Sequence, residues 1–236
     1  MTATPQGKTA LIRVDGQNCF FPKDENVPGT GELPVASAPS IVPVVNKLSA
    51  SPKFDVIVDT ADHHPPDHEG YAEQHEGKKP GDIIDLHGVQ QMLWTVHGRA
   101  NTPGAEFHPS FDRSRCDHIV LKGTDKQVDS YSGFKDNKKG QNTDLADWLR
   151  SKGVTTVYVV GITRPFCASY TAKDAVDEGF ETYLVTDACS MLAPEMAAAD
   201  DADLTAHFHH SGLGVDIAAE RVCLDPTGAG NEYPGP

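Results

Sequence analysis

Runs of apolar, β-branched residues bounded by turn-formers recur along the chain as KTALIRVD, FDVIVDT, HIVLKG, TTVYVVG and ETYLVTD. Each has the length of a buried strand, and their near-continuous apolar character, rather than strict alternation, marks strands covered on both faces. Helical spacing fills the intervals. Ile41, Val44, Val45 and Leu48 share one helical face, and Leu145, Trp148 and Leu149 repeat that spacing between a capping Thr143 and a stopping Gly153. A third helix is predicted from Phe166 or Cys167 to Gly179, and a fourth from Pro194 to about Ser211, with Met196, Leu204 and Phe208 facing inward. Strands alternating with helices predict right-handed crossovers and a three-layer, doubly wound α/β fold with a mostly parallel sheet.

The pattern fails between residues 61 and 117, where Gly, Pro, His and charged residues dominate and no strand is predicted. So long an excursion inside a compact domain is usually functional, and it reads as a metal-site and lid region within a single domain spanning residues 1–236. The tail TGAGNEYPGP reads as a loose or surface-packed terminus.

Composition narrows the class. With 38% hydrophobic and 23% charged residues the chain can form one large core. Neither a secretory leader nor a run of some 20 apolar residues is present, so a soluble, cytoplasmic protein is expected, without a membrane partner. Its net charge of -14 repels polyanions, which argues against nucleic acid. The five cysteines are scattered and odd in number, fitting thiols rather than disulfides or a thiolate zinc site. Oligomeric state is open, a homo-oligomer included.

In an open parallel sheet the reacting groups gather beyond the carboxyl ends of the strands. Asp15 ends the first predicted strand, Asp62 and His64 follow the second, Lys122 ends the third, and Cys167 follows the fourth at a helix start. Singly, each has an ordinary structural reading, as a turn aspartate, a solvated histidine or a small buried thiol. Their shared rim favours chemistry. A thiol at a helix N-terminus is placed to become a thiolate nucleophile, Asp15 to take and return its proton, and Lys122 to offset the carboxylate that would otherwise oppose ionisation. Asp62 and His64, one residue apart in TADHHPPDH, project to the same side of an extended segment, as metal ligands do. For the third ligand His97 ranks ahead of His68 and His75, and mixed carboxylate and imidazole ligation suits one divalent ion: zinc, iron or manganese.

These residues carry a resemblance. VDGQNCF resembles the VDxQNDF start of the nicotinamidase and pyrazinamidase family, TADHHPPDH its TxDWHPxxH motif, and LWTVHGRANTPGAEFHP its LWPxHCxxxTPGAxxHP segment. KGTDKQVDSYSGFKDN is similar to KGTDxxxDSYSxFxDN, and VVGITRPFCASYTAKDA to VVGxxxxxCVxxTAxDA. The resemblance, over residues 11 to 190, implies an isochorismatase-like hydrolase fold and hydrolysis of nicotinamide to nicotinate and ammonia in NAD salvage, with pyrazinamide as a further substrate. It implies catalytic roles for Asp15, Lys122 and Cys167, and metal ligation by Asp62, His64 and His97, with zinc the foremost candidate. Phe20 and Trp94 match positions that sandwich the substrate ring, and Tyr131 a tyrosine near the pocket. A cis peptide is implied between Ile162 and Thr163, aiming the amides of Thr163 and Cys167 at an oxyanion. The chain departs from the pattern at Cys19, His63, Thr95, Gly98, Arg164 and Pro165, none of them a catalytic or metal position.

The rivals are weaker. Vinyl-ether-cleaving relatives lack either the metal ligands or the cysteine. Ureidoacrylate and N-carbamoyl amidases keep the triad without needing a ring-binding metal. A non-catalytic relative is expected to have lost one of the three catalytic residues, and a receiver-like domain would need more acid around Asp15 than Val14 and Gly16 provide.

Overall fold

The computed structural model describes residues 7–211 and 215–218. In chain order its strands and α-helices are β1 (Lys8–Val14), α1 (Ala38–Ala50), β2 (Val56–Asp62), β3 (Ile83–Leu86), β4 (Val89–Met92), β5 (His118–Lys122), α2 (Leu145–Ser151), β6 (Val154–Arg164), α3 (Cys167–Asp177), β7 (Glu181–Met191), α4 (Ala197–Ser211) and β8 (Val215–Ala218). Six of these strands form one sheet in the order β5-β2-β1-β6-β7-β8, with every ladder parallel.

The predicted strands are therefore present, and their apolar runs are buried as the pattern required. All seven residues of β2 are buried. On one face Ile12, Val58 and Val159 pack under α2 and α3 through Leu145, Leu149, Ala168 and Ala172. On the other, Leu11, Ile57 and Val160 pack under α1 through Ile41, Val45 and Leu48. The predicted Pro194 start of the fourth helix is a 3-10 turn, Pro194–Met196, that leads into α4. Leu204 is buried there and Met196 partly so, whereas the side chain of Phe208, Cys223 and the tail after Ala218 lie outside the described residues.

Two elements differ from expectation. The 61–117 excursion contains an antiparallel hairpin, β3 with β4, turning through His87 and Gly88 at φ of 53° and 89°. Positive φ at both central residues gives a two-residue turn the twist that suits a hairpin. The short β8 extends the sheet beyond β7.

Topology places the site. From β1 the chain steps outward to β2 and β5, then returns to add β6 on β1's other side, so strand order reverses between β1 and β6. Loops leaving the carboxyl ends of those two strands diverge and leave a crevice. Asp15 leaves β1 and Cys167 follows β6, one on each side of it.

Candidate active site

Lys122 stands at the centre. It is the last residue of β5 and the register partner of Asp62, the last residue of β2, so the ladder itself sets the ammonium beside that carboxylate. Its Nζ lies 2.5 Å from Asp62 Oδ1, 2.9 Å from Asp15 Oδ2 and 3.4 Å from Cys167 Sγ, and donates to the Ser130 carbonyl at 3.0 Å. Although Lys122 is only 2% exposed and burial pulls its pKa down, Asp15 and Asp62 outweigh that and hold it well above the ordinary lysine value. A buried ammonium among anions stays charged.

Asp15 takes φ of 50°, in the left-handed region that aspartate tolerates better than most residues. Thr60 holds it, through an Asp15 N–H to Thr60 carbonyl bond of 3.2 Å and a Thr60 hydroxyl donating to Oδ1 at 2.6 Å. Oδ2 forms the ion pair with Lys122 but receives no aligned hydrogen bond, which leaves a lone pair available within the buried site. Burial raises the carboxyl to about 6 against the pull of Lys122, with Asp62 adding to the rise.

Cys167 opens α3 as predicted, and the first amides of a helix have no intrahelical acceptor. The expected lowering of its pKa does not hold. Burial pushes the thiol well above its ordinary value, and Asp15 and Asp62 add to this against the pull of Lys122. The sulfur therefore rests as a thiol that needs a base. Asp15, Asp62 and Cys167 offer ligand atoms within 4.8 Å of one another.

Asp62, His64 and His97 form a second buried set within the same span. The His64 and His97 Nε2 atoms lie 3.7 Å from Asp62 Oδ1 and Oδ2 respectively. Nδ1 of His64 is 2.9 Å from the Gly123 carbonyl and Nδ1 of His97 is 2.7 Å from the Thr95 carbonyl. A carbonyl only accepts, so each Nδ1 carries a proton and each Nε2 is the nitrogen turned toward Asp62. Burial pushes the Asp62 carboxyl up, yet Lys122 and then His64 hold it well below the usual carboxylate range. Burial lowers His97 to about 4, which keeps its imidazole neutral at pH 7. Burial pulls His64 down, yet Asp62 raises it above the ordinary imidazole value. A cation displaces that proton, and two imidazoles with a carboxylate match the donor chemistry of a divalent ion. His68 belongs to an adjoining group with His64 and Asp129, while His75 bonds the Glu69 carbonyl instead.

Two glycines make room for this set. A Cβ on Gly123, at φ of 63°, would fall 2.3 Å from the His64 ring, and one on Gly98, at φ of 55°, would fall 2.8 Å from Asp62 Cβ. Gly98 is one of the departures from the family pattern, and here the backbone approaches too closely for a side chain without rearrangement.

Both sets open on one pocket of about 400 Å3 including its mouth, lined by Phe20, Trp94, Tyr131 and Thr163 as well as Asp62, His64, His97 and Cys167. The site residues expected from the sequence thus meet there, with Asp15 and Lys122 beneath. The Ile162-Thr163 peptide is cis, as the resemblance implied, and so is Arg164-Pro165. Sequence reasoning missed Phe166, which meets Trp94 edge-on at 4.8 Å, and the Leu33, Val35 and Leu192 walls. It missed Gln91 as well, whose amide donates to Asp129 and the Tyr131 hydroxyl. Arg164 is buried, its Nε 2.7 Å from Asp200 of α4, and Ser169 donates to the same carboxylate oxygen.

The isochorismatase domain profile matches residues 9–210. A nicotinamidase of Acinetobacter baylyi is 41% identical over 183 residues, covering 78% of this chain and 81% of its own. Among solved structures, a nicotinamidase/pyrazinamidase of Acinetobacter baumanii superposes with a TM-score of 0.80 at 34% identity, covering 92% of this chain and 99% of its own. The pyrazinamidase of Pyrococcus horikoshii, in complex with zinc, gives 0.68 at 33% identity, with 90% and 99% covered.

Proposed function

The chain belongs to the isochorismatase domain family, and on that premise we propose that it is an amidohydrolase that cuts nicotinamide, and also pyrazinamide, to the ring acid and ammonia. One observation carries the reading: a thiol, a carboxylate and an ammonium meet a two-histidine, one-carboxylate donor set at a single aromatic-walled pocket.

Asp62, His64 and His97 would hold a divalent cation, with zinc first because the donor set suits it and the Pyrococcus horikoshii relative is in complex with it. When bound, that ion supplies a Lewis-acid site for the ring nitrogen and positive charge near the thiol. The remaining chemistry belongs to the chain. Phe20 and Trp94 flank the ring and present the carboxamide carbon to Cys167. As Sγ bonds to that carbon, the thiol proton passes to Asp15 Oδ2, and Lys122 keeps Asp15 anionic until then. The amides of Thr163 and Cys167 receive the developing oxyanion, often the largest single catalytic contribution. Collapse breaks the C–N bond, the Asp15 proton leaves with ammonia, and the acyl group remains as a thioester on Cys167. Water then attacks the thioester, its proton passing to Asp15 and on to the departing sulfur, which frees the acid and restores the thiol.

A product acid of this kind is a precursor for rebuilding pyridine nucleotides, so we place the reaction in NAD salvage. Cytoplasmic location is in keeping with the finding that no helix among the described residues is long and apolar enough to cross a membrane. Ammonia release from nicotinamide is the test. Wild type should turn over, Cys167→Ala should not, and chelation should abolish turnover until zinc is restored. Undiminished release by Cys167→Ala would defeat the proposal.

A further inference from the structure

The hydroxyl of Tyr131 has a hydrogen-bond balance that the reaction leaves unexplained. Trp94 Nε1 approaches it at 3.2 Å and Gln91 Nε2 at 3.0 Å. An indole N–H only donates, so the tyrosine oxygen must accept from Trp94. The Gln91 amide is likewise fixed, because the same nitrogen reaches the Met92 carbonyl at 2.8 Å and Asp129 Oδ2 at 2.9 Å, both acceptors, while its oxygen receives Asn137 Nδ2 at 3.0 Å. With that orientation the Gln91 nitrogen can only donate, its two protons shared among Met92, Asp129 and Tyr131. Neither neighbour can accept from the hydroxyl, and no protein acceptor for its own proton is found among the described residues. Burial, with Asp129 nearby, raises the phenol well above its ordinary pKa, so the proton stays on.

Tyr131 lines the pocket, and its ring packs against Trp94, Phe166 and Tyr170 at centroid distances of 6.3, 5.4 and 5.3 Å, which holds the hydroxyl in place. We propose that this proton points into the pocket and makes Tyr131 a specificity determinant, favouring ring amides with a further acceptor on the ring edge over those with a C–H there. The inference rests on the functional reading above. In that reading nicotinamide has no acceptor to spare, its ring nitrogen facing Asp62, His64 and His97 and its carbonyl oxygen facing the amides of Thr163 and Cys167. A diazine carboxamide such as pyrazinamide brings a second ring nitrogen, which can receive the tyrosine proton. A donor that stays unpaired with one substrate and is paired with another discriminates between them.

The test is Tyr131→Phe, which keeps the ring and removes only the hydroxyl, with kcat/KM measured for both amides. The pyrazinamide to nicotinamide ratio should fall by about three- to tenfold, the range set by one neutral hydrogen bond. An unchanged or increased ratio overturns the proposal. The same ratio is read independently of turnover from the Kd values of the acids pyrazinoate and nicotinate, where the variant should lose preferential affinity for pyrazinoate. If wild type hydrolyses neither amide, the functional reading fails, and the acid-binding ratio alone decides for or against the tyrosine. Failure to bind either acid overturns both.

Discussion

Replacing Lys122 by methionine removes the charge while nearly conserving length. In the wild-type protein that ammonium is the shared counter-ion of two buried carboxylates, at 2.9 Å from Asp15 and 2.5 Å from Asp62. Removing one partner of a buried ion pair typically costs about 3 to 5 kcal/mol, because the remaining charge is left without compensation. For a domain of this size each kcal/mol lowers Tm by roughly 2 to 4 °C, so a fall on the order of 10 °C is expected at pH 7.5 in chelator-treated protein. Its pH dependence follows from the carboxylates. Lys122 holds Asp62 far below the unfolded value near 3.8, so the stability Asp62 contributes is present above that pH and is lost only as acid takes the pH below it. Without Lys122 both carboxyls shift upward and the folded state resists their ionisation. The deficit should therefore be largest at neutral pH and narrow between pH 7.5 and 4.5. Circular-dichroism melts at several pH values measure it, and ammonia release should fall at least a hundredfold, since a protonated Asp15 cannot take the thiol proton. Equal Tm values at pH 7.5, or a deficit that widens on acidification, would refute the reasoning.

Other consequences are simpler to test. Asp15, raised to about 6, must be ionised to accept a proton, so kcat/KM should decline on the acid side with an apparent pKa near that value, and Asp15→Asn should abolish turnover. Gly123→Ala would drive a methyl into the His64 ring at a backbone angle unfavourable to alanine, so isothermal titration should show weakened zinc binding and melts a loss of about 1 to 3 kcal/mol. His97→Ala should lower zinc stoichiometry in the purified protein and, with it, ammonia release, while leaving the α/β circular-dichroism signature unchanged.

What was legible in the sequence was what local pattern controls. Apolar, β-branched runs such as FDVIVDT read as strands covered on both faces, and their ends placed Asp15, Asp62, Lys122 and Cys167 on one rim before any contact was known. The hairpin escaped notice because IIDL and VQQM are short and partly exposed, with Ile83 60% exposed, so no burial period marks them. Electrostatics were less accessible still. A helix N-terminus suggested a depressed thiol pKa at Cys167, but burial and two carboxylates act the other way, and those carboxylates, Asp15 and Asp62, lie more than 100 positions away in the chain. The same holds for Gln91, an unremarkable polar residue in sequence whose amide engages Asp129, Tyr131 and Asn137 only once the excursion folds back.

The sulfur of Cys167 carries the mechanism, and acid-quenched mass spectrometry during steady-state turnover of nicotinamide addresses it directly. The peptide containing Cys167 should gain the mass of one nicotinoyl group, released by hydroxylamine as a thioester is, with no other residue labelled. Rapid turnover with Cys167 unmodified and an adduct on another side chain would contradict the account.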